Sequence, residues 1–135
     1  MNVMDKSLKA LQTSLNLRQL RQEVISSNIA NSQTPGYKSK KLDFEEALAD
    51  ALDIDENVSM KAIHPNHYNV GGGGLDTLKP FIYEDPNGEV SNDGNTVDRE
   101  AQMSEMANNK ILYDATVQLL NKKLAQIKYV LTNDR

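Results

Sequence analysis

The sequence predicts a mainly α fold: long N- and C-terminal helices packed as a coiled-coil-like pair, with a small irregular or β-hairpin segment between them. Three observations carry this. Both ends repeat apolar residues at steps of 3 and 4, the helical period. The middle loses that period and fills with glycines and turn dipeptides. Aromatics make up only 5% of the 135 residues, with no Trp, so a core must be built from Leu, Ile, Val, Met and Ala. The boundaries that follow are 1–37 for the N-terminal helix and its turn, 38–95 for the middle segment, and 96–135 for the C-terminal helix.

In the first element Met4, Leu8, Leu11 and Leu15 lie on one helical face. The same row continues through polar Arg18 and Gln22 to Ile25 and Ile29. A second row, Leu17, Leu20 and Val24, starts where the first weakens and runs on into Asn28 and Asn31. An apolar surface that moves around a helix suits packing against two neighbours in one domain, or sharing among several chains. Asn31 fits a C-terminal cap that bonds orphan carbonyls. Asn28, one turn earlier, reads either as part of the helix terminus or as a buried amide that fixes register.

Thr34-Pro35-Gly36-Tyr37 then has the signature of a type II turn, with Pro setting φ at the second position and Gly supplying positive φ at the third. Pro35 also keeps Thr34 out of the helical region, so the helix must stop by then. Tyr37 is placed to fold back on the helix end.

The middle begins with "KLDFEEALADALDIDENV", which allows a short helix with Phe44, Ala47, Leu48, Ala51 and Leu52 on one side and an acidic, solvated face on the other. Gly71 to Gly74 read as a loop or linker, and no Gly-Lys-Ser/Thr follows to make a phosphate loop. "PFIYEDPNGEV" predicts a β-hairpin, with Phe81 and Tyr83 alternating and Asn87-Gly88 as a type I′ turn. A second turn at "NDGN", 92–95, leads into the last helix.

That helix is capped by Thr96 or Asp98, with Asp98 and Glu100 early and Lys122, Lys123 and Lys128 late, as the helix dipole favours. Met103, Met106, Lys110, Tyr113, Val117, Leu120, Leu124, Ile127 and Leu131 alternate steps of 3 and 4, and only Lys110 is polar. A mean step of 3.5 marks a left-handed coiled-coil seam.

The composition excludes several function classes. Net charge is −4 and no face or stretch is strongly basic, so the footprint of a nucleic-acid binder is missing. The absence of cysteine rules out disulfides, thiol catalysis and Cys-ligated zinc. The N-terminus has no apolar h-region, so a cleaved secretory signal is not expected. No run reaches the ~18 apolar residues of a membrane span. His64 and His67 form an H-x-x-H, but Pro65 interrupts it and zinc takes three or four protein ligands. A calcium loop starting at Asp85 fails because its sixth position is Val90, where Gly is required. No nucleophile–base motif is present, so neither an enzyme nor a cofactor is expected.

The stretch "SSNIANSQTPGYKSKKLDFEEAL", Ser26 to Leu48, resembles the N-terminal signature of flagellar rod and hook axial proteins. The late "DGNTVDREAQMSEMANNKILYDATVQLLNKKL" is similar to that of their short proximal rod subunits. The resemblance implies a structural subunit whose terminal helices pack within a helical assembly, with copies of itself and other rod proteins. It implies the MS-ring, the rod–MS-ring junction protein and the type III export gate as further partners, and a place in the flagellar basal body on the periplasmic side of the inner membrane. Asn28, Ile29, Asn31, Thr34, Pro35, Gly36 and Tyr37 carry the family motif. Leu8, Leu11, Leu15, Val24 and Ile25 on one helix and Tyr113, Val117, Leu120, Leu124, Ile127 and Leu131 on the other make the expected packing seam. The alternatives are another short axial subunit, or a small helical domain with a metal or regulatory site at His64 and His67.

Overall fold

The computed structural model describes residues 3–53, 75, 78 and 80–133. The element order is α1 (Val3–Ala30), β1 (Lys40–Asp43), α2 (Glu45–Asp53), β2 (Phe81–Glu84) and α3 (Arg99–Asn133). The glycine run 71–74 and the two histidines lie outside the described residues. At 1.5 Å per residue, α1 with 28 residues is about 42 Å long and α3 with 35 is about 52 Å. Side-chain hydrogen bonds join Asn28 to Gln102 and Gln22 to Asn109, so the two helices run antiparallel.

The two rows of α1 have separate partners. Leu17, Leu20 and Val24 pack on Leu42 of β1 and on Phe44, Leu48 and Leu78. This small core uses the α2 face expected from the sequence: Phe44 and Ala51 are buried, although Leu52 is 42% exposed. The adjoining side of α1, with buried Ile25 and Asn28, meets α3. Thus α1 is covered by the helix on one side and by the strand and short helix on another.

β1 and β2 form an antiparallel ribbon with Lys41 opposite Tyr83 and Leu42 opposite Ile82. The expected strand at Phe81–Tyr83 exists, but its partner is Lys40–Asp43, not the residues after Asn87-Gly88. The local turn explains why. Gly88 N–H donates to Asp85 O at 3.5 Å and Asn87 N–H to Asp85 Oδ1 at 3.0 Å. Positive φ occurs at Gly36 and Gly94 and not at Gly88, so no type I′ turn forms there. Asp, Pro and Gly at the first, second and fourth positions are instead the preferences of a type I turn, which splays the chain away from a tight hairpin.

The seam of α3 also differs from the apolar one. Its buried residues are Gln102, Asn109 and Thr116, spaced by seven, and half-buried Met106, Tyr113, Leu120 and Ile127 fall between and beyond them. Hence Tyr113, Leu120 and Ile127 of the expected seam face inward, while Val117 is half-buried and Met103, Leu124 and Leu131 are 49%, 48% and 72% exposed in the single chain. On α1, Leu8, Leu11 and Leu15 are half-buried.

Candidate functional site

The motif residues converge where α1 ends. Asn31 Nδ2 donates to Ser27 O at 2.8 Å and its backbone N–H to the same carbonyl at 3.1 Å, which satisfies a helix-end acceptor. Thr34 Oγ1 then donates to Asn31 Oδ1 at 3.2 Å. Tyr37 N–H reaches Thr34 O at 3.2 Å and Gly36 has φ +72°, which together make the type II turn. Pro35 is exposed on its outside and Ile29 is half-buried.

Asn28 has no solvent exposure, and all its hydrogen-bonding capacity is used. Its Nδ2 donates to Lys40 O at 2.7 Å and to Gln102 Oε1 at 2.9 Å. Its Oδ1 accepts from Lys40 N–H at 3.0 Å and from Tyr37 OH at 3.2 Å. The carboxamide therefore pairs with Lys40 as a neighbouring strand would, closing that point of the β1 edge. One side chain ties together the end of α1, the returning Tyr37, the start of β1 and the first turn of α3. Of the two local readings, the buried amide is the one the structure contains.

The second turn docks on the first. Gly36 N–H donates to Asp93 O at 2.9 Å, and Lys38 Nζ to Gly94 O at 3.0 Å. Asn95 Nδ2 donates to both Asn31 O and Thr34 O at 2.8 Å, while its Oδ1 accepts Val97 N–H at 2.7 Å. Thr96 N–H bonds Tyr37 O at 3.0 Å, and its Oγ1 accepts Ser39 N–H at 2.8 Å. Asn95 and Thr96 are 4% and 8% exposed. Asp98, not Thr96, caps α3: its Oδ1 accepts from Glu100 and Ala101 N–H at 3.0 and 3.1 Å. The sequence signals marked Asn95 and Thr96 only as turn and cap residues, and gave no sign that they meet Asn31, Thr34, Tyr37 and Ser39.

A cationic stack supports the other side of α1. The Arg18 and Arg21 guanidinium groups lie 5.3 and 4.4 Å from the centre of the Phe44 ring. Arg21 holds Glu45 bidentately at 2.5 and 2.7 Å and donates to Leu42 O at 2.8 Å. Burial pushes the Glu45 pKa up, but the Arg21 hydrogen bonds, backbone donors and Arg21 charge outweigh it and bring it to about 2. Burial lowers the Arg18 pKa, with the Glu45 charge opposing, and Arg18 Nε and Nη1 are buried without hydrogen-bond partners. Tyr83 donates to Asp43, which raises the phenol to about 12.

These groups position backbone; they do not assemble a nucleophile, base and oxyanion donors around a cleft. Among the described residues no group of three or more His, Asp or Glu could hold a metal ion, and no helix is long and apolar enough to cross a membrane.

Comparison with known proteins agrees with the motif. Residues 8–38 match the family described as flagella basal body rod protein. The chain is 35% identical over 123 residues to the flagellar basal body rod protein FlgB of Buchnera aphidicola (subsp. Acyrthosiphon pisum), covering 89% of this chain and 90% of that one. It is 31% identical to the FlgB of Bacillus subtilis over 135 residues, all of both chains. To the FlgB of Aeromonas hydrophila it is 30% identical over 133 residues, covering 97% and 96%.

Proposed function

The chain belongs to the FlgB family of flagellar basal body rod proteins, and we propose that α1 and α3 are the surfaces through which it assembles with neighbouring rod subunits. As a member it is a structural subunit of the proximal rod and not an enzyme. In this reading its terminal helices link the MS-ring and export gate to the distal rod and transmit torque. It reaches its place through the flagellar type III export apparatus, and the rod–MS-ring junction protein is a neighbour. Asn28, Asn31 and the Thr34–Tyr37 turn fix the geometry between the helical pair and the outward-facing middle segment.

One observation carries the assembly reading: α1 covers only the centre of the apolar arc of α3. Met103, Leu124 and Leu131 on one flank and Leu112 and Leu119 on the other are 46% to 72% exposed. Helices of this length gain most of their stability from packing, so a partner for each flank would add order. Far-ultraviolet circular dichroism tests this: helicity should be weak in the dilute monomer and rise when other proximal rod proteins are added. A fully helical monomer that never assembles would sink the reading.

A further inference from the structure

We propose that Asn87 is a modification site: its carboxamide deamidates through a cyclic imide with Gly88, and the isoaspartyl product is a substrate for a carboxyl methyltransferase. Asn-Gly occurs once in the chain, at 87–88, and Asp-Gly once, at 93–94. Glycine makes such a pair reactive. With no Cβ it leaves its own amide nitrogen open to approach and lets the backbone rotate toward the preceding side chain. The fold treats the two pairs differently.

Asn87 is exposed at the third position of the Asp85–Gly88 turn, and its carboxamide makes no hydrogen bond among the described residues. The Gly88 N–H is held only by Asp85 O at 3.5 Å, beyond the usual hydrogen-bond range. Neither reacting group has a strong partner to give up. At the other pair, Gly94 N–H donates to Ser91 O at 2.9 Å. Asp93 accepts from the Ser91 hydroxyl and from Asn95 N–H, the latter at 3.1 Å. These bonds, Ser91 first, hold its carboxyl below the usual carboxylate range, and an ionised carboxylate is a poor target for a nitrogen nucleophile. Among the other asparagines, Asn28, Asn95 and Asn109 are buried with their amides engaged. Asn16, Asn108 and Asn121 lie inside α1 and α3, where the next N–H is bonded to a carbonyl one turn back.

The step balances without redox chemistry. The Gly88 nitrogen gives its proton to solvent base and bonds to Asn87 Cγ. The side-chain nitrogen takes up a proton and leaves as ammonia. Water then opens the imide. Attack at Cγ gives aspartate; attack at the backbone carbonyl gives isoaspartate, in which the chain runs through the side-chain methylene and the α-carboxylate hangs free. A carboxyl methyltransferase moves a methyl group from the sulfonium of S-adenosylmethionine to that carboxylate oxygen, leaving a methyl ester and S-adenosylhomocysteine.

Isoaspartate does not fit this turn. Its extra methylene lengthens the chain beside Gly88, which lies so close to Thr96 that a Cβ there would be 2.8 Å from Thr96 Cβ. Thr96 Oγ1 accepts Ser39 N–H at 2.8 Å, and Thr96 N–H donates to Tyr37 O at 3.0 Å. The new charge also joins Glu84, Asp85 and Glu89, its neighbours in the chain. Modification of the exposed turn therefore loosens the junction that holds the Tyr37–Lys40 return.

The test ages the full chain at mildly alkaline pH, once at a concentration where the helices are formed and once in urea. Peptide mass spectrometry reads the change from amide to acid, and an isoaspartyl methyltransferase with labelled S-adenosylmethionine counts isoaspartate. Fragment masses separate position 87 from position 93. In the folded chain, label at Asn87 should exceed that at any other position several-fold, and Asp93 should take label only in urea. Asn87→Gln, whose ring would be one atom larger and closes slowly, should lose the folded-state label. Hydrogen exchange at Ser39 N–H should be several-fold faster in the aged chain than in the fresh one, and unaffected by ageing in Asn87→Gln. An Asn87 that stays an amide while other asparagines react, folded-state label at Asp93 equal to that at Asn87, or label retained in Asn87→Gln would overturn the site. Isoaspartate at 87 with unchanged Ser39 exchange would overturn its coupling to Thr96.

Discussion

Replacing Asn28 with alanine removes a carboxamide that touches four groups in three parts of the fold. Lys40 O and Gln102 Oε1 lose their donor, and Lys40 N–H and Tyr37 OH lose their acceptor. Gln102 is 4% exposed, so its side-chain oxygen is left buried and unpaired. An orphaned buried acceptor costs about 1–3 kcal/mol, and each bond that water can replace about 0.5–1.5 kcal/mol. Asn28→Ala should therefore lose ~3–5 kcal/mol, a large part of the ~5–15 kcal/mol that holds a typical domain. The assay is urea denaturation followed by circular dichroism, at a concentration where the helices are formed. Gln102→Ala and the double variant complete a cycle, whose coupling should be about 1–2 kcal/mol. Asn28→Asp keeps the shape but faces two carbonyl acceptors with a carboxylate. It should be at least as damaging at neutral pH; burial and the two carbonyls raise the folded carboxyl above the unfolded ~3.9, so the loss is relieved in part as pH falls through that raised value, with no further recovery below pH ~4. A change of less than about 0.5 kcal/mol for Asn28→Ala, or additive single substitutions, would refute the reasoning.

Three further outcomes follow from the same geometry. Gly36→Val places a β-branched residue at φ +72°; nothing lies within 4 Å of its Cβ, so the cost of at least ~1–2 kcal/mol is backbone strain, read as a lowered denaturation midpoint, and an unchanged midpoint contradicts it. Gly88→Ala would set a Cβ 2.8 Å from Thr96 Cβ; it should cost ~1–3 kcal/mol and speed hydrogen exchange at Ser39 N–H, whose acceptor is Thr96 Oγ1, and unchanged exchange would count against that contact. The Glu45 pKa is depressed on folding, from 4.5 to about 2, so its stabilisation is complete above pH 4.5 and disappears as pH falls toward 2. Its side chain is 52% exposed, so the effect is only about 0.5–1 kcal/mol, and Glu45→Gln should remove that part of the acid slope; an identical slope in both proteins would show that the Arg21 pair contributes nothing.

What could be read from sequence divides by distance along the chain. The turn at Thr34–Tyr37 and the Asp98 cap are set by residues a few positions apart; local rules give the turn outright and narrow the cap to Thr96 or Asp98. Asn28 was visible as an anomaly, a polar residue on an apolar row, but its partners Lys40 and Gln102 stand 12 and 74 positions away. Strand β1 reads "KKLD", which carries no strand pattern; its pairing with Phe81–Glu84 comes from Leu42 joining the α1 core and Asn28 closing the Lys40 edge. In α3 the hydrophobic repeat pointed to Met103, Val117 and Leu124, yet α1 meets Gln102 and Asn109. Asn28 and Gln22 offer polar partners there, and a matching of polar with polar residues is invisible to any search for apolar period.

In the proposed reading the helical pair is an assembly surface completed by neighbouring subunits. A density map of the intact basal body at side-chain resolution tests it most directly. This chain should lie in the proximal rod, with Met103, Val117, Leu124 and Leu131 on one flank of α3, and Leu112 and Leu119 on the other, buried against adjacent subunits. A rod in which those flanks face solvent while other parts of the chain make the contacts would contradict it.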